Sequence, residues 1–175
     1  GYLTSSVQLG FILGTFALSL YGVTDRFSPS SVFFLSSVLG AVSSGLALID
    51  ISSFGLTLIS RFLTGFFLAG VYPVGMKIAS DWSEKGLGHW LGALVGALVL
   101  GTSFPHAVKL LPAFLKPEVL LISVSLLAVV GGLSVWLLIP DGPFRKPSTR
   151  FLFSDLNKIF GDDSFRAPAF GYFGH

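Results

Sequence analysis

VLLISVSLLAVVGGLSVWLLIP, residues Val119–Pro140, runs for 22 positions without an Asp, Glu, Lys or Arg. A core helix of a water-soluble domain meets a charge within a few turns, because one face must be wetted. A helix that crosses a bilayer needs about 20 uncharged residues, since each residue rises about 1.5 Å and the hydrocarbon is about 30 Å thick. This stretch is therefore read as a membrane-spanning helix. Three more charge-free runs flank it upstream: Gly1–Thr24, Phe27–Ile49 and Gly86–Val108, the last holding His89 and His106, and with Val119–Pro140 they measure 22 to 24 residues each. A fifth, Ile51–Met76, is interrupted by Arg61 alone.

The composition agrees. The 175 residues are 52% hydrophobic and 11% charged, where a soluble domain carries about 25% charge. The shortage lies in the charged shell that a water-facing surface requires. A net charge of +2, with no basic run, is too small to suggest a nucleic-acid partner, and none is expected. With no cysteine there is no disulfide, Cys-ligated zinc or thiol nucleophile. The first segment is too long and lacks the basic start of a cleaved signal peptide. The chain opens on Gly1 and closes on a second apolar start, so it reads as a piece cut at both ends.

The expected fold class is all-α, a polytopic membrane helical bundle with spans at about 3–21, 32–48, 56–76, 89–104 and 119–139, a loop over 140–168, and the start of a further span at 169–175. Taking alternate connections together gathers Arg26, Lys77, Lys85, Arg145, Lys146, Arg150, Lys158 and Arg166 on one side, against Lys109 and Lys116 on the other. Eight against two is the bias that marks cytoplasmic loops. Loops 22–31, 77–88 and 140–168 are accordingly expected in the cytoplasm, and the protein in a plasma or inner membrane.

Small residues recur every fourth position: Ser6, Gly10 and Gly14; Ser37, Ala41 and Gly45; Gly92 and Gly96. That spacing lets helix backbones approach in lipid, where apolar burial gives little drive to associate. Pro73, with Gly70 and Gly75 beside it, removes a backbone donor, so the third span has either a hinge or its plain end there. Within the 140–168 loop, Leu152, Leu156, Ile159 and Phe160 share one helical face and Gly161 can end it, which predicts a short interfacial helix.

No catalytic fingerprint is present. No enzyme activity, cofactor or metal is expected. Arg61 is the one ionisable residue well inside a span and is a substrate-binding candidate for that reason; snorkelling, or pairing with an acid elsewhere, is the competing reading. Gln8 is the other strongly polar residue in a span, placed either on the same cavity or against a neighbouring helix.

Gly22-Val-Thr-Asp25-Arg26-Phe-Ser28-Pro29-Ser30 resembles the signature between the second and third helices of the major facilitator superfamily. That signature has a glycine four residues before an Asp-Arg pair, another glycine two residues after the Arg, and then basic residues. Asp25 and Arg26 match. Here the first glycine is displaced to Gly22, Ser28 stands at the second, and Pro29 and Ser30 replace the basic pair. Arg61-Phe-Leu-Thr-Gly65 is similar to the Arg and following glycine of that family's fourth helix. Gly92, Gly96, Gly101 and Pro105 resemble its glycine-rich fifth helix.

The resemblance implies helices two to six of an N-terminal six-helix half lacking helix one, a central cytoplasmic loop, and the start of helix seven. It implies Gly22, Asp25 and Arg26 as a gating motif, with Gly65 joining Gly10, Gly14, Gly92 and Gly96 in helix packing. The implied activity is secondary active transport of a small solute by alternating access. The implied partners are the C-terminal half of the same transporter, the bilayer and a coupling proton or other ion. No carboxylate lies deep in these spans, so a coupling acid is expected outside them. The alternative is a membrane-embedded structural or assembly subunit that moves nothing.

Overall fold

The structure, a computed structural model, describes residues 1–50, 52–84, 86–108 and 116–145. The expected interfacial helix around Leu152–Phe160 and the start of a further span at 169–175 lie outside the described residues. Among the described residues all regular structure is helical: α1 (Tyr2–Tyr21), α2 (Val23–Arg26), α3 (Pro29–Gly45) with a 3-10 turn (Leu46–Leu48), α4 (Phe54–Leu68), α5 (Tyr72–Asp81), α6 (Leu87–Val108) and α7 (Pro117–Leu138).

Local chemistry sets these ends. Prolines open α3, α5 and α7 in their first turns, where a missing N–H breaks no bond. Ser53 caps α4 by accepting from the Leu56 amide at 3.4 Å. Gly22 ends α1 in the left-handed conformation (φ 55°), its N–H reaching the carbonyls of Leu18 and Ser19.

Among the described residues four segments are long and apolar enough to cross a membrane: Tyr2–Tyr21, Pro29–Leu48, Phe54–Asp81 and Pro117–Leu138, while α6 is apolar over Leu87–Ser103. The third is the span expected over 56–76 with a hinge or its plain end at Pro73. It breaks at 69–71 and resumes as α5 to Asp81. The break precedes Pro73, which stands harmlessly in the first turn of α5. Its turn is closed instead by the amides of Gly70 and Val71 bonding to Phe67 and Leu68.

Helix α4 packs on α1 with one face and on α3 with another, α3 packs on α7, and α5 joins α3 to α6. Glycine and serine make these contacts. A Cβ at Gly10 or Gly14 would overlap the backbone of Phe62 or Phe66, and one at Gly65 would overlap Val7. Gly70 and Gly132 lie against Ser36 and Ser37 of α3. Hydroxyls bridge the helices: Ser6 to the Leu58 carbonyl (2.9 Å) and fully buried Ser60 to that of Ser43 (2.7 Å).

The arrangement inverts a soluble core. The buried apolar side chains are small (Val32, Ala41, Ala47, Ala69, Val74), whereas Phe16, Leu126 and Leu138 are 59%, 63% and 77% exposed. Such a surface calls for lipid or further apolar protein against it, not water. Gly92 and Gly96, expected in helix packing, are exposed and meet nothing within 4 Å among the described residues. The reason is that α6 touches the rest of the described bundle chiefly through α5.

Candidate functional site

Two polar features stand out in the apolar bundle. The first is at the end where α1, α5 and α7 finish. The left-handed turn at Gly22 swings the chain into the single turn of α2, whose first bonds are made by the Asp25 and Arg26 amides to the Gly22 carbonyl, both at 3.1 Å. That turn sets the Asp25 carboxylate 3.4 Å from the Lys77 ammonium on α5, each side chain about one-quarter exposed. Arg26 is exposed, and its guanidinium has no partner among the described residues.

A strap of chain leaving α7, residues 139–145, closes over this pair. The Arg145 guanidinium binds the Asp141 carboxylate through one nitrogen and donates through the other to the carbonyls of Asp25 (3.2 Å) and Phe27 (2.8 Å). Asp141 also accepts from the Ser28 hydroxyl at 2.6 Å, and Ser30 donates to the Ile139 carbonyl at 2.6 Å. On the other flank Trp82 donates to the Pro140 carbonyl (3.0 Å), the Phe144 amide donates to the Asp81 carbonyl (3.0 Å), and Gly142 lies against the Asp81 backbone. Asp81 is 5% exposed, and its Oδ2 has no hydrogen-bond partner among the described residues. Three segments far apart in the chain are thus stitched together.

Lys77, Asp141 and Arg145 carry this cluster, and the sequence reading used them only as loop charges or linker. One signal was available for Lys77: Asp25 sits at a helix end and calls for a cation from a neighbouring helix that ends on the same side. Arg145 had none for its bonds to residues 25 and 27, because those targets are carbonyls.

The second feature is a cavity of about 640 Å³ between α3, α4 and α7, walled mainly by apolar side chains but reached by Arg61 and Thr64 of α4, Ser36, Ser37 and Ser44 of α3, and Ser125 of α7. Arg61 is partly buried, seven residues beyond the first residue of α4, a depth of about 10 Å. The hydroxyl protons of Ser37, Thr64 and Ser125 are given to the carbonyls of Phe33, Ser60 and Ala41. Arg61 therefore supplies the only charge on the described cavity wall, and no acid pairs with it among the described residues. Gln8 does not share this cavity. It is exposed on α1, turned away from the face that Val7 and Gly10 present to α4.

Membrane-length helices joined by buried small residues, with a cation-bearing cavity among them and an ion pair at one end, make this a multi-pass α-helical membrane protein. The family model of the Major Facilitator Superfamily matches residues 1–173, and the chain belongs to that family. No curated protein and no solved structure matches it.

Proposed function

We propose that this protein is a secondary active transporter that moves a small anionic solute across a plasma or inner membrane by alternating access. The observation that carries the reading is the Asp25–Lys77 pair, which ties the α1–α3 connection to the end of α5. A pair this exposed is worth about 0–1 kcal/mol. That is weak enough to break and re-form in every cycle, as a gate in a rocking bundle requires. Arg61 supplies the solute contact: an arginine within hydrocarbon costs about 2.5–3.5 kcal/mol on insertion scales, and a guanidinium on an apolar wall is suited to a carboxylate or another compact anion.

The end carrying Asp25, Lys77 and Arg145 is assigned to the cytoplasm. Support comes from the clustering of these basic residues at one end, while Lys116 begins α7 at the other. Loops 22–31, 77–88 and 140–168 are then cytoplasmic. The C-terminal half of the transporter forms the opposite wall of the pathway, and a proton or another ion couples to the solute.

The test is an uptake screen of small carboxylates and other anions in cells expressing the complete protein, comparing wild type with Arg61→Ala and Asp25→Asn at equal surface levels. Uptake that Arg61→Ala abolishes and Asp25→Asn impairs is the expected result. Uptake indifferent to Arg61→Ala removes that residue from the solute site. No uptake of any solute moves the weight to a structural subunit.

A further inference from the structure

The cluster around Asp25 contains a residue that touches the gate only through its backbone. Arg145 makes no contact with the Asp25 carboxylate. Its guanidinium bonds the Asp25 main-chain carbonyl at 3.2 Å and the Phe27 carbonyl at 2.8 Å while Asp141 holds its other nitrogen. Asp141 in turn accepts from Ser28 at 2.6 Å. The loop is thus gripped at residues 25, 27 and 28, and the four-residue helix α2 has few other means of holding its place. It is capped by Phe27, which is 61% exposed, and apart from the Asp25–Lys77 pair it packs chiefly on the helices that it joins.

We propose that Arg145 is the positioning residue of the gate, a role that rests on the alternating-access reading above. Arg145 fixes the one turn of α2 so that the Asp25 carboxylate faces Lys77, and the pair forms or parts only together with the strap 139–145. Because the strap is also bonded to α5 through Trp82 and Asp81, both sides of the ion pair are held by the same seven residues. An ion pair between two independently mobile segments must also order backbone each time it closes. The strap lowers that cost by holding the chain on both sides of the pair, at Asp25 and Phe27 and at Asp81 and Trp82.

The role depends on the fork of the guanidinium. It must reach two carbonyls and a carboxylate at once, and a lysine has one head group that cannot span them. This separates positioning from simple charge balance.

The experiment uses the complete protein with Arg145→Ala, Arg145→Lys, Asp25→Asn and the double variant Arg145→Ala with Asp25→Asn. Backbone hydrogen exchange over residues 22–28 and 54–68 is measured beside the initial uptake rate and KM at equal surface levels. In Arg145→Ala and in Arg145→Lys, exchange over 22–28 is expected to rise about tenfold, the loss of two charge-assisted bonds, and that over 54–68 to stay unchanged. The maximal uptake rate falls as far as in Asp25→Asn, with KM within about twofold, and the double variant falls no further because both act on one device.

Unchanged exchange over 22–28 overturns the proposal. So does full restoration of exchange and rate by Arg145→Lys, or an additive loss in the double variant. If wild type moves no solute, the transporter reading falls separately, and the exchange data then decide: a rise confined to 22–28 keeps Arg145 as the holder of this loop, and no rise removes it.

Discussion

Helices α1 and α6 carry the same glycine spacing and put it to different uses. Gly10 and Gly14 of α1 are buried against the backbone of α4, so close that a Cβ at either would overlap it. Gly92 and Gly96 of α6 are exposed with nothing within 4 Å among the described residues. Four-residue spacing puts small residues on one face of a helix, but whether another helix comes to that face depends on the rest of the bundle. The reciprocal partner marks the difference: α4 answers α1 with a glycine of its own, Gly65 against Val7, and the described residues hold no such answer to α6.

Enlarging a residue in the closed seam tests this contrast most severely. Gly65→Val pushes a branched side chain into the Val7 backbone. Overpacking costs about 1–3 kcal/mol in ordinary cores, and a backbone obstacle belongs at the top of that range. The expected outcome is loss of most folded protein by size-exclusion profile, and a normal profile would mean that α1 and α4 do not pack this tightly. Next in size is Gly22→Ala, which forces a side chain into the left-handed turn at φ 55° at about 1–2 kcal/mol, read as a fall in thermal unfolding temperature in detergent. Without such a fall, the turn between α1 and α2 takes another shape.

Ser60→Ala removes the buried bond to Ser43 between α4 and α3. Hydroxyl bonds between membrane helices average about 0.6 kcal/mol, so a drop of a degree or two in the same assay is expected. Last is Gly96→Ala. On an open helix face alanine is favoured by up to about 1 kcal/mol, and the unfolding temperature should hold or rise slightly. A clear loss there would erase the contrast between the two helices and place an unseen partner on α6.

The all-helical membrane bundle was legible because lipid imposes its requirement on long consecutive runs. Charge-free stretches such as Val119–Pro140 need no knowledge of neighbours to be read. The Asp25–Arg26 motif was legible for the same reason, being contiguous. What escaped were relations between segments. Lys77 meets Asp25 across 52 positions, and Arg145 meets the Asp25 carbonyl across 120; no local period encodes either. Gln8 shows the limit within a single helix. Being one residue from Val7, it sits about 100° around α1 from the side that meets α4, and nothing local distinguished the two faces. The interruption at 69–71 was placed near Pro73 because proline is the conspicuous breaker, whereas the turn is made by Gly70 and Val71 bonding back to Phe67 and Leu68.

The inverted distribution of side chains, with serine and glycine inside and leucine and phenylalanine outside, also bears on the shape of the stability curve. In a water-soluble domain, unfolding hydrates apolar surface and raises the heat capacity, so stability is a dome with a cold side and a hot side. When these helices part within a bilayer, the surfaces uncovered are glycine backbone and serine hydroxyls, and they meet acyl chains rather than water. The heat-capacity increment for that step should therefore be small. Stability would then decline almost linearly on warming, with no maximum near room temperature, and the helices would have no low-temperature limit at which cold alone drives them apart.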